Sequence, residues 1–205
     1  MAGKPLPRLF IFAVALGALV AAGALPRADV RITKRDSALL KEKVATITAH
    51  GERVTKEARR TTVSENEVNS YLIYDAHEQL PAGVVEPSVT ILGTGRVSGR
   101  AVVDLDAVRK QKAPTSLLDP MNYLTGRLPV TATGVLKTSN GMGKFELESA
   151  HVSAIPIPKM LLQEIVSYYS RTPDNPSGIS LDDPFALPAR IREIQVERGQ
   201  AIIVQ

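Results

Sequence analysis

Between Leu128 and Ser170 the chain permits few architectures, because it spells strand, tight turn, strand and helix in one unbroken run. Leu128, Val130, Ala132, Gly134 and Leu136 alternate with Pro129, Thr131, Thr133, Val135 and Lys137. That period of two predicts one apolar face against a core and a mostly polar face to water. Asn140-Gly141 follows, the pair that tolerates the left-handed dihedrals of a type I′ hairpin. The return strand sets Phe145 and Leu147 inward against Glu146 and Glu148 outward. Its apolar set then moves to Ala150, Val152 and Ala154, which predicts a β-bulge near Ser149. Ile155-Pro156-Ile157-Pro158 closes the strand, and Pro158 suits the first turn of a helix, where its missing N–H costs nothing.

Met1 to Leu25 reads as a targeting segment, with Lys4 and Arg8 as a basic head before the uncharged run Leu9 to Leu25. Ala22-Gly23-Ala24 offers the small residues of a secretory cleavage site. The run is slightly shorter than the roughly 20 residues a membrane span prefers, while Pro26 disfavours cleavage just before it. Residues 1–25 are therefore either a signal peptide or an uncleaved membrane anchor. Both place the remainder outside the cytoplasm, in the periplasm or cell envelope. The absence of cysteine excludes disulfides, thiolate metal sites and a lipidated N-terminal Cys.

The formal charge of +4 is concentrated near that segment: Arg27 to Arg60 holds ten Lys/Arg against five Asp/Glu. A nucleic-acid surface needs a basic face with aromatic side chains for stacking, and this chain has no Trp and few aromatics. The expectation is no nucleic-acid partner. Asp36 or Ser37 is placed to cap a helix reaching about His50, with Leu39, Leu40, Val44 and Ile47 as a thin apolar stripe. Residues 26–62 thus read as a basic helical stalk or connector. It is a solvated face in the simplest reading and one attracted to anionic headgroups in the other.

Residues 63–205 form the body, long enough for one domain with a real core. Ser64-Glu65-Asn66-Glu67 is a capping box opening a helix with Val68, Leu72, Ala76 and Leu80 on one side, ended by Pro81-Ala82-Gly83. Strands are expected over Val84 to Leu92 and Arg96 to Ala107, where Val97, Gly99, Ala101, Val103 and Leu105 point inward. A short helix is expected over Leu117 to Leu124, and a final hairpin turning at Arg198-Gly199. In the helix from Lys159, the residues Leu161, Leu162, Ile165, Val166, Tyr168 and Tyr169 span roughly 160° of arc. That exceeds what one sheet needs, so a second apolar partner is expected: by default the Ser64 helix, otherwise a ligand or another chain. The fold class is α+β, a curved antiparallel sheet of about six strands or more wrapping one or two long helices.

Val63-Ser64-Glu65-Asn66-Glu67-Val68-Asn69-Ser70-Tyr71-Leu72, the alternating hairpins, Ile155-Pro156-Ile157-Pro158 before a helix, and Leu187-Pro188 before the last hairpin together resemble exported bacterial lipid-binding-like proteins. In those a helix lies in the concavity of a curved sheet; the likeness to the tubular lipid-binding superfamily is more distant. The resemblance implies a hydrophobic groove and no catalytic residue to carry over. Leu72, Val97, Ala101, Val103, Val130, Ala132, Leu136, Leu161, Ile165 and Tyr168 would line it, and Tyr hydroxyls would meet a headgroup. The alternative is a structural or assembly protein of the envelope with a filled core and an apolar patch for a partner chain.

No enzyme, metal site or cofactor is expected. His50, His77 and His151 lack ligand spacing and read as surface imidazoles. Asp104/Asp106 and Glu146/Glu148 read as cross-strand partners for Arg96, Arg100 and Lys137. There is no G-x-S-x-G elbow, and Gly93-Thr94-Gly95 lacks the strand–helix setting of a phosphate loop.

Overall fold

The computed structural model describes residues 31–53, 57–76, 78–81, 83–107, 125–171 and 175–205, apart from the side chains of Ile165, Tyr168 and Tyr169. The targeting segment, the expected helix over Leu117 to Leu124, and His77 lie outside the described residues. The elements are α1 (Lys34–Glu52), β1 (Arg60–Ser64), α2 (Glu65–Tyr74), β2 (Val84–Gly93), β3 (Arg96–Asp104) and β4 (Arg127–Ser139). There follow β5 (Met142–Val152), β6 (Ile155–Pro156), α3 (Lys159–Ser170), β7 (Phe185–Ala186), β8 (Glu193–Glu197) and β9 (Gln200–Val204).

The architecture is α+β, with an open antiparallel sheet of six strands in the order β2-β3-β4-β5-β6, β7 also pairing with β5. The last hairpin does not extend this sheet: β8 and β9 join β1 in a separate three-stranded sheet. Alternation within a hairpin cannot show which edge it meets; the polar stretch Arg53 to Thr62 reads as a connector open to an edge strand, and β1 begins at its end. The two sheets are tied by Thr138, whose hydroxyl donates to the Ile194 carbonyl at 3.1 Å and accepts from the Ile194 N–H at 2.8 Å.

The central hairpin follows its sequence. Asn140 and Gly141 take φ of 50° and 80°, the left-handed pair of the expected turn. The register slips between Thr133 and Gly134, which face Ser149 and Leu147, so Glu148 is the extra residue of the bulge. Lys137–Glu146 and Arg96–Glu148 ion pairs cross strands on the outer face at 2.6 and 2.8 Å.

α2 opens on the complete capping box between Ser64 and Glu67. It stops at Tyr74, well short of Leu80, because the N–H groups of Asp75 and Ala76 both donate to the Tyr71 carbonyl at 2.9 Å. The Asp75 carboxylate is held instead by the Ser37 hydroxyl and, at 2.6 Å, by Lys41.

α1 is built into the body, where the sequence suggested a stalk. Thr33 caps it, ahead of Asp36, whose N–H donates to the Thr33 hydroxyl at 3.0 Å. Leu40 and Ile47 enter the main core beside Val68, Leu72, Ile91, Val196 and Ile203. Burying each of these two side chains is worth roughly 1.5–3 kcal/mol, enough to hold a mostly polar helix down. Lys43 reaches Glu67 at 2.6 Å, and the C-terminal Gln205 amide donates to the carbonyls of Ile47 and Ala189 at 2.8 and 2.6 Å. Among the described residues, no helix is long and apolar enough to cross a membrane.

Candidate hydrophobic-ligand site

The inward face of the six-stranded sheet is divided by what packs on it. At the β2–β3 turn end, Ile91, Val97 and Leu136 belong to or pack against the main core. Over β5, α3 sets Leu162 against Ala150 and Leu181, with Ala132, Leu147 and Val166 around them. Beside β2, α2 pairs its Asn69 amide with the backbone of Val89. Between these three covers lies a strip of side chains on β3 and β4 that stay half-buried: Ala101, Val103, Leu128 and Val130, continued by Val152 on β5. Register makes it contiguous, through Val103↔Leu128, Ala101↔Val130 and Val130↔Val152.

The ten residues expected to line one groove are therefore split. Ala101, Val103 and Val130 form the half-buried strip. Leu72, only 3% exposed, lies in the main core, and Val97 and Leu136 pack against it. Ala132 sits under α3. Leu161 is 49% exposed at the start of α3. Ile165 and Tyr168 are in α3, but their side chains are outside those described. Among the described residues the Ser64 helix packs chiefly on α1 and β2 and α3 on β5, while half of the wide stripe of α3, Ile165, Tyr168 and Tyr169, has side chains outside those described. Leu128 and Val152 were already in the inward sets read from alternation; their place beside Val130 needed the register.

Exposed apolar side chains gather beyond β5, at Ile155, Met160 and Leu161, which are 68%, 77% and 49% exposed. The Ile-Pro-Ile-Pro run before α3 was the available signal, since each Pro denies the chain an N–H for pairing.

The outward face is more enclosed than alternation suggested. Ser98, Thr131 and Thr133 are buried, and Ser98↔Thr133↔Ser149 and Arg100↔Thr131↔His151 form two polar rows across three strands. Thr133 Oγ1 and His151 Nδ1 are buried without a hydrogen-bond partner, so His151 is not the plain surface imidazole expected. Glu148 holds the Arg96 guanidinium above its ordinary value through a hydrogen bond and its charge. Lys137, by the same two effects, keeps the Glu146 carboxyl below the ordinary carboxylate range. No group of three or more His, Asp or Glu that would suit a metal occurs among the described residues.

No protein-family model and no curated protein matches the chain. Among solved structures, a crystal structure of lipopolysaccharide binding protein is similar at 16% identity and a TM-score of 0.22, over 71% of this chain and 40% of that one. The chain spans less than half the length of that protein, and a superposition this loose establishes neither a shared fold nor a shared ligand.

Proposed function

We propose that the protein is exported and binds or transfers a lipid or other hydrophobic ligand in the cell envelope, without catalysing a reaction. The observation that carries this reading is the strip Ala101, Val103, Leu128, Val130 and Val152, apolar and contiguous yet only half-covered between α2 and α3. Ligand sites of this chemistry are concave and mainly apolar, and small or branched side chains such as these leave room for an acyl chain. Native mass spectrometry of protein extracted gently from bacterial membranes tests it: a bound mass in the lipid range is expected, and uniformly ligand-free protein refutes it.

A second reading has its own support. Leu72, Val97 and Leu136 close the main core, while Ile155, Met160 and Leu161 stand out in solvent, as in an assembly protein with an apolar patch for a partner chain.

A further inference from the structure

Exposed apolar side chains from two separate parts of the chain fall at one end of the six-stranded sheet. Antiparallel register puts Val84, Val103, Leu128 and Val152 at that end, with Ile155 following Val152 through the short β5–β6 turn. From Ile155 the chain turns back along β5, the Ile157 N–H donating to the Ala150 carbonyl at 2.8 Å, and α3 begins at Lys159 with Met160 and Leu161 exposed. At the opposite flank α2 runs beside β2, with Glu65 accepting from the Ile91 N–H at 2.7 Å and Asn69 from the Val89 N–H at 2.6 Å. Its last turn, with exposed Ile73 and Tyr74, is therefore directed to the Val84 end. α1 begins at the same corner. The Thr33 N–H donates to the Ser70 hydroxyl at 3.0 Å, the Lys34 ammonium lies 6.0 Å from the Tyr74 ring centroid, and Ile32 is exposed. Arg31, Lys34 and Arg35 add exposed cations.

We infer that this end of the sheet seats on a bilayer surface containing anionic lipid. Four strand spacings of roughly 4.8 Å separate β2 from β6, so the two apolar prongs stand about 20 Å apart. The half-buried strip lies on the strands between them. Apolar side chains mixed with Lys, Arg and Tyr match the headgroup boundary, where ring and aliphatic stems are buried and the polar tips stay wet. Each basic residue near an anionic surface adds to the attraction. The uncharged run Leu9 to Leu25 ends seven residues before Ile32, a tether of at most about 25 Å. A protein partner would explain either prong alone; a flat apolar boundary beside the chain's own apolar run accounts for both together. A ligand on the strip between the prongs rests on the ligand reading above, but the seating does not.

Because the chain has no Trp, single reporters can be placed at Tyr74→Trp, Met160→Trp and Leu92→Trp. Leu92 is also exposed and apolar but sits beside the β2–β3 turn at the far end. The full chain is mixed with vesicles of equal phosphatidylcholine and phosphatidylglycerol whose acyl chains carry bromine. Severalfold stronger quenching of the Tyr74 and Met160 reporters than of the Leu92 reporter is expected, weakening when phosphatidylglycerol is omitted. Equal quenching of all three, or none at the first two, overturns the seating and returns the Ile155–Leu161 tip to a protein partner. An Ala101→Phe chain that loses bound lipid yet keeps this pattern separates the seating from the groove.

Discussion

Asn69 serves as one rung of a β-strand for Val89. Its side-chain amide donates to the Val89 carbonyl at 2.7 Å and accepts the Val89 N–H at 2.6 Å, closing the outer edge of β2. Glu65 takes the Ile91 N–H, and the Gly199 N–H covers the Ile91 carbonyl at 2.8 Å, so the edge is satisfied without another strand. Asn69→Leu strands two buried backbone groups. With about 1–3 kcal/mol for each, a loss on the order of 2–6 kcal/mol is expected in urea unfolding. A change under about 0.5 kcal/mol would mean that the edge has another partner.

Gly51 in the last turn of α1 tests whether that helix is part of the body. In a free-standing stalk, Gly51→Ala should gain up to about 1 kcal/mol of helix propensity. Here a Cβ would run into the Ala189 backbone, 2.7 Å from its Cα, so the substitution should destabilise. The sign of the shift in melting temperature separates the two.

Thr133 is buried with an unpaired hydroxyl between Ser98 and Ser149. Valine keeps the shape and removes the unpaired group, so Thr133→Val should raise stability by about 1 kcal/mol. A loss of stability instead would show that a water or ligand group occupies that hydroxyl.

Much of this fold is local and so was legible. The Asn140-Gly141 turn, the bulge after Thr133, the Ser64 capping box and the span of α3 each depend on residues near in sequence. What alternation could not convey was how faces are shared. Leu72 and Leu136 look like groove residues, yet they turn into a core completed by α1 and the final hairpin, distant in sequence. Leu161 lies on the apolar arc of α3, but the helix meets β5 through Leu162, leaving Leu161 in solvent. Thr131 and Thr133 read as wet, and the structure encloses them.

Asp104 and Glu146 are both held below the ordinary carboxylate range, for different reasons. For Asp104 the first cause is the Ala107 N–H at 3.0 Å; for Glu146 it is the Lys137 ammonium at 2.6 Å. A lowered carboxyl contributes stability above its unfolded-state value, lost as the pH falls through the folded one. NMR titration should find Asp104 still lowered in Arg127→Gln and Glu146 back near the ordinary range in Lys137→Gln. The reverse pattern would contradict these assignments. Glu146 is 42% exposed and Asp104 23%, so solvent screens both pairs and only a small change in stability at neutral pH is expected from either variant.

The most direct measurement of the ligand reading compares two phenylalanine substitutions by native mass and thermal melting. Ala132 already touches the Leu162 cluster, so Ala132→Phe overpacks it and should cost about 1–3 kcal/mol. Ala101 lies in the half-covered strip, opposite Val130. There a ring should take the ligand's place, so Ala101→Phe should melt within a few degrees of the natural chain and carry no lipid. If the natural chain carries none, or if Ala101→Phe melts as low as Ala132→Phe, the strip is ordinary core and the protein is not a carrier.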